Sequence, residues 1–255
     1  MTKTFALGRA IFAAALGSLG VQCLLRGNAI PTLEPVTSAA ALPLIGWITG
    51  IVLIAAAIAS LLPPSASYGA AVIAAVMLLW VALLHLPALI VAPKNGGEWT
   101  SASESLAIAG AALVLFGLTR ISDAHAARCI LAGRIFFGVC MLGFGALHFI
   151  YIAYVAFVIP GWIPAHVFFG YATGVAHVAA GLGILTGVLG RIAALCTALM
   201  FGSWVLIVHG PRVIAKSQDP NEWTSMLIAL AICGGALLIA EVFARHTKRV
   251  EGAID

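Results

Sequence analysis

Three histidines stand inside long apolar stretches of this 255-residue chain, His148, His177 and His209, and His166 lies between the first two. Imidazole titrates near neutrality, so such a set can relay protons, ligate a metal or haem, or hydrogen-bond a quinone carbonyl. Two metal ligands on one helix face recur at i, i+4, and no pair of these histidines has that spacing. Quinone is therefore favoured over haem or metal. The five cysteines, Cys23, Cys129, Cys140, Cys196 and Cys233, form no C-x-x-C pair and no haem-attachment motif, and they read as small apolar packing residues. A second set, Glu222, Arg212 and His209, gathers charge beside one of the histidines, and His85 and Glu98 stand 124 residues before His209 and Glu222.

The elements that position these groups follow from composition. Apolar residues make up 62% of the chain and charged residues 9%, against about 25% charged in a soluble domain. Too few polar residues remain to cover a water-facing globule. No Asp, Glu, Lys or Arg occurs from Pro35 to Pro93 or from Ile135 to Gly190. Each gap exceeds one helix and must hold helical hairpins with uncharged turns. The expectation is an all-α polytopic membrane protein in contact with the lipid bilayer. Its spans should lie near 7–25, 41–62, 68–91, 102–119, 131–153, 165–187, 192–211 and 223–243. The net charge of +4 arises from loops and tails, without the clustered cations of a nucleic-acid groove.

The chain also repeats itself. Gly8-Arg9-Ala10-Ile11-Phe12 returns as Gly133-Arg134-Ile135-Phe136-Phe137, and Gly46-Trp47-Ile48-Thr49-Gly50 as Gly170-Tyr171-Ala172-Thr173-Gly174. Trp80, His85 and Pro87 return as Trp204, His209 and Pro211, and Glu98-Trp99-Thr100-Ser101 returns intact as Glu222-Trp223-Thr224-Ser225. The offset is 125 and then 124. This predicts two four-helix repeats, 1–124 and 125–255, inserted in the same orientation about an axis along the membrane normal. The first span belongs to the repeat, so it reads as a retained helix and not a signal peptide.

Eight spans put both termini on one side. That side collects Lys3, Arg9, Arg120, Arg128, Arg134, Arg191, Arg245, Lys248 and Arg249 out of 13 basic residues, so the positive-inside bias places it in the cytoplasm. In a bacterium the protein then sits in the inner membrane. His148, His166 and His209 fall toward the outer face and His177 nearer mid-membrane. Helical counting sets His166, Gly170, Gly174, His177 and Gly181 on one stripe, where another helix approaches closely. His177 then faces protein, either as a functional group or as a histidine bonded to a neighbouring carbonyl. His148 reads as an interfacial histidine beside Tyr151 and Tyr154. Its counterpart in the first repeat is Cys23, and that of His177 is Leu53. Glu98 and Glu222 are each the fourth residue of a capping box begun by Asn95 or Asp219, with Trp99 and Trp223 as interfacial anchors. Arg9 and Arg134 are placed to snorkel to lipid phosphates.

Gly133-Arg134 opening a span, Gly145-Ala146-Leu147-His148-Phe149 closing it, then Thr173-Gly174-Val175-Ala176-His177 and Arg191-Ile192-Ala193-Ala194, together resemble the DoxX family of four-helix bacterial membrane proteins. The second repeat matches throughout and the first more loosely. The resemblance implies a doubled inner-membrane four-helix bundle. The family takes its name from a thiosulfate:quinone oxidoreductase subunit, and other members are linked to oxidative-stress complexes. The family often carries a glutamate at the place of His177, so a role for that carboxylate does not transfer unchanged.

Two functions remain in view. One is a quinone-interacting or redox-associated membrane subunit, with His148, His177 and His209 lining a site near the outer face and a redox partner protein supplying or taking electrons. The other is a non-enzymatic component, a small-molecule permease or a scaffold for an export complex. Polar groups biased to the outer half count against a continuous transport path.

Overall fold

The computed structural model describes residues 2–30, 32–35, 41–120 and 124–251, and every regular element among them is helical. Eight helices are long and apolar enough to cross a membrane, as in a multi-pass membrane protein. In chain order they are α1 (Lys3–Arg26), α2 (Leu42–Leu61), α3 (Ala66–Val91), α4 (Gly96–Thr119), α5 (Ala124–Ile150), α7 (His166–Thr186), α8 (Gly190–Ala215) and α9 (Pro220–Glu251). A short helix, α6 (Ile152–Val158), follows α5 after a break at Tyr151. These spans agree with the apolar runs to within a few residues, except that α4 begins six and α5 seven residues earlier than the hydropathy suggests, and α9 ends eight residues later. The α4 extension is a polar first turn: Asn95 caps the helix by accepting from Gly97 N–H at 3.0 Å, so it outruns its apolar stretch.

Side-chain size decides which helices meet. Gly8 of α1 lies against Gly234 and Leu237 of α9, and Gly110 of α4 against Gly133 of α5. Gly138, Gly145, Gly174 and Gly181 bring α5 and α7 together. Small residues let backbones approach closely, which drives association in lipid. The packing runs α1–α2–α3–α4–α5–α7–α8–α9 and back to α1, and α4 also meets α9 across the middle. Buried positions make up 67% of the α4 window and 78% of the α9 window, against 22–44% in the other spans, so these two form the waist of the molecule. Leu25, Ile90, Val91, Phe157 and Ile214 stand out from the perimeter, as a lipid-facing belt requires.

Spans α3 and α8 share an irregularity. Val81–His85 and Val205–His209 are π-turns, closed by Leu86 N–H to Val81 C=O and Gly210 N–H to Val205 C=O. Pro87 and Pro211 follow each turn and have no N–H to continue the ladder. The π-turns put His85 and His209 last in their loosened turns, a device frequent at functional sites.

The two ends of the chain meet at one end of the bundle. Thr2 donates its hydroxyl to Glu241 at 2.5 Å, and Arg245 donates to the other Glu241 oxygen at 2.8 Å and to Leu118 C=O at 3.2 Å. Arg134 departs from the snorkelling expectation. It turns inward, donates to Leu185 C=O at 3.1 Å and lies over the Phe243 ring, because the last turn of α7 offers it an acceptor.

Candidate functional site

At the middle of the second half, α5, α7 and α8 bring five rings together. His148 and His177 have ring centroids 4.8 Å apart. Phe144 and Phe201 each stand 5.7 Å from His177, and Trp204 stands 5.4 Å from His177 and stacks on His148 at 6.3 Å. The glycine stripe explains the placement. A Cβ on Gly174 would come within 3.0 Å of the His148 Cβ, so only glycine there lets α5 lie close enough for the imidazoles to touch. His148, expected at the interface beside Tyr151 and Tyr154, is turned into the bundle instead. Tyr151 is occupied elsewhere, donating to Lys94 C=O at 2.7 Å.

Each imidazole is fixed by its own helix. Nδ1 of His148 donates to Phe144 C=O at 2.8 Å, and Nδ1 of His177 to Thr173 C=O at 2.9 Å. A carbonyl only accepts, so the proton sits on Nδ1 in both rings. His177 is fully buried and its Nε2 has no partner. An orphaned buried acceptor is rare and calls for an explanation. Two opposed axial histidines of a haem would need a wider gap, since each metal–nitrogen bond adds about 2 Å to the ring radii.

The other expected residues fall into separate groups. His209 has Arg212 and Glu222 as its charged neighbours, and its Nδ1 is buried without a partner. Arg212 donates to Val158 C=O at 3.0 Å and lines a cleft of about 210 Å³ with Phe157, Pro160, Ile207 and Pro211. Glu222 pairs with Lys216 at 3.6 Å. His166 begins α7, partly exposed. His85 is buried in the first half and bonded to Ser105 Oγ at 3.0 Å. Of the capping boxes, one half of each forms: Asn95 and Asp219 cap their helices, but their own N–H groups go to Ala92 and Lys216 carbonyls. Glu98 therefore stays in the first turn of α4, where a carboxylate favours the helix dipole. Trp99 and Trp223 anchor their loops by donating to Pro93 and Ser217 carbonyls, both at 2.9 Å.

Two carboxylates escaped the sequence reading. Glu34 lies in the connection after α1, fully buried, accepting from Thr49 Oγ1 at 2.5 Å and from Ile30 N–H at 3.2 Å. Burial raises its pKa from the ordinary carboxylate value, and those two hydrogen bonds oppose the rise. Glu104 lies in α4 beside Ser105, with Oε2 buried and unpartnered. A signal for Glu104 was present, an ionisable residue inside an apolar span. Glu34 had no such signal, because its burial depends on a loop folding back.

At the positions 125 or 124 residues before His148, His177, Phe201 and Trp204 stand Cys23, Leu53, Met77 and Trp80, all buried. Ile30, Leu33 and Glu34 are buried with them. In the second half the connection after α5 is α6, which has no buried residue. No protein-family model, no curated protein and no solved structure matches the chain.

Proposed function

We propose that the chain is a bacterial inner-membrane protein of two DoxX-like four-helix repeats, 1–124 and 125–255, that holds a quinone-type ring against His148 and His177. The termini lie in the cytoplasm and the site opens toward the outer half of the membrane. One observation carries the reading: a fully buried imidazole nitrogen on His177 has no partner, inside a box of His148, Phe144, Phe201 and Trp204. Flat aromatic walls with a few placed polar groups are the make-up of a small-molecule site.

The doubled architecture draws support from paired details 124 residues apart. The π-turns at Val81–His85 and Val205–His209 are one pair, and the Trp99 and Trp223 side-chain bonds are another. Packing pairs in the same way: α1 on α2 beside α5 on α7, α3 on α4 beside α8 on α9, and α4 on α5 beside α9 on α1. Electrons would come from or go to a partner protein, with the quinone as carrier.

The test is solvent extraction of protein purified in mild detergent, with co-purified quinone quantified against a His148→Ala, His177→Ala double variant. Quinone retained by the parent and lost from the variant is the expected result. Stable, monodisperse protein without quinone in either form would move the assignment to a scaffold or permease.

A further inference from the structure

The cleft of about 210 Å³ between α6 and α8 is separate from the histidine pair, and neither His148 nor His177 lines it. Thr2 and Glu241 meet at one end of the bundle, and α8, the seventh of eight spans, finishes at the other. The walls are Phe157, Ile159 and Pro160 on one side and Ile207 and Pro211 on the other, so the Arg212 guanidinium is set into an otherwise apolar lining. Arg212 stands in the last turn of α8 and donates one N–H to Val158 C=O at 3.0 Å. A guanidinium has five N–H donors, so most of its capacity is unspent. Its other nitrogens are not sealed in the interior. Among the described residues no carboxylate pairs with it. The acids that follow are engaged elsewhere: Glu222 pairs with Lys216 at 3.6 Å, and Asp219 accepts from Asn221 N–H at 2.9 Å.

The first half lacks this combination. The residue 124 positions before Arg212 is Ala88, and the connection after α1 is packed down with Ile30, Leu33 and Glu34 buried. In the second half α6 buries nothing, and the cation stands beside it. Phe157 and Ile214 project from the same face, as lipid-facing residues do. An unpaired guanidinium at such a surface calls for an anion, and the apolar walls call for a hydrocarbon chain on the same molecule. A soluble anion would leave those walls uncovered, and a neutral chain would leave Arg212 unneutralised. The cleft is smaller than the ~300–1,000 Å³ of pockets that enclose a small molecule, which suits one chain laid along it. We infer that the cleft between α6 and α8 holds an anionic membrane phospholipid, its phosphate on Arg212 and one acyl chain between Phe157 and Ile207. Basic pockets between spans recognise headgroups in this way. A choline headgroup brings its own cation to the phosphate and competes with Arg212, so the preference is for a headgroup of net negative charge.

The experiment offers the full chain, delipidated in mild detergent, equal amounts of dioleoylphosphatidylglycerol, dioleoylphosphatidylcholine and oleic acid. Bound lipid is counted by native mass spectrometry. All three probes carry the oleoyl chain, so differences between them report the headgroup. Phosphatidylglycerol is expected to be retained about fivefold over phosphatidylcholine, the worth of one arginine facing an anionic lipid. In Arg212→Ala that ratio falls to about one. Ile207→Trp, which fills the cleft and keeps the cation, lowers retention of phosphatidylglycerol and serves if the Ala variant does not fold. Equal retention of the two phospholipids by the parent protein would overturn the inference, as would a ratio that Arg212→Ala leaves unchanged. Oleate retained ahead of phosphatidylglycerol would overturn the phospholipid assignment and give the cleft to a free carboxylate.

Discussion

The two halves of the molecule treat the same place differently. In the first, a connection folds back and the chain's own Ile30, Leu33 and Glu34 are buried beside Cys23, Leu53 and Trp80. Glu34 meets Thr49 and Ile30, and His85 Nε2 meets Ser105, so the polar groups at this place find protein partners, although Glu104 Oε2 and His85 Nδ1 do not. In the second, the connection after α5 is a short helix with nothing buried, and a histidine pair stands 125 and 124 residues after Cys23 and Leu53, with the His177 Nε2 unpartnered. One half is closed by the chain itself. The other keeps a fully buried histidine nitrogen with no partner among the described residues. Similar helices thus pack differently around this place, depending on the connection between Arg26 and Leu42.

The sharpest way to break this comparison is a matched pair of glycine substitutions. A Cβ on Gly46 would fall within 2.2–2.6 Å of the Asn28 and Ala29 backbone, whereas one on Gly170 meets the Ile152 and Val155 side chains. Backbone cannot step aside and side chains can. Gly46→Ala should therefore cost about 3 kcal/mol, the upper end for overpacking, and Gly170→Ala about 1 kcal/mol or less. Thermal unfolding in detergent measures both, and equal losses would mean the first-half loop is not seated as described.

Glu34 gives the next effect. Glu34→Ala strands the Thr49 hydroxyl and the Ile30 N–H, for a loss of about 1–3 kcal/mol. Its raised pKa sets a sign for pH as well. The folded state holds this proton more tightly than the unfolded chain, so the stability Glu34 contributes is full below the ordinary carboxylate range and declines as pH rises through the raised value. Glu34→Gln should flatten that decline, seen as a smaller drop in Tm between pH 5 and pH 8 than in the parent.

A histidine pair sharpens the contrast at about 1 kcal/mol. His85→Phe removes a partner from Ser105 and should destabilise by about that amount, while His177→Phe removes an unpartnered buried acceptor and should be neutral or stabilising. A gain in Tm at the cost of ligand binding is what a site kept for function shows. If both variants lose stability alike, the second half is as self-satisfied as the first. Smallest of all is Lys216→Ala. Its partner Glu222 is 3.6 Å away and the lysine side chain is 64% exposed, so the change should fall below about 0.5 kcal/mol.

The spans were legible because lipid demands long apolar runs, and a run such as Leu42–Leu61 has no competing interpretation. Their polar first turns lie outside the apolar runs and were legible instead from the caps at Asn95 and Asp219. Helical counting on α7 correctly set His177 among packing glycines, because period and residue size are both local properties. The inward turn of His148 was missed, as its rotamer is fixed by the width of the α5–α7 contact. Glu34 was missed for a related reason: a loop's path depends on the cavity it fills, and no periodicity records it. Arg134 went astray because snorkelling is a default for an isolated helix, and here the end of α7 supplied a nearer acceptor.

The π-turns of α3 and α8 have one more consequence. Each closes its hydrogen bond one residue late, so each span carries one residue more than an ideal α-helix would place there. Under the proposed duplication, the same surplus residue at the same point of both copies is inherited, not acquired twice. The fault in register is then older than the copying event. Under the same reading the frame from Trp80 to His85 and from Trp204 to His209 predates the joining of the copies, whereas Cys23 and Leu53 against His148 and His177 mark where the two have since diverged.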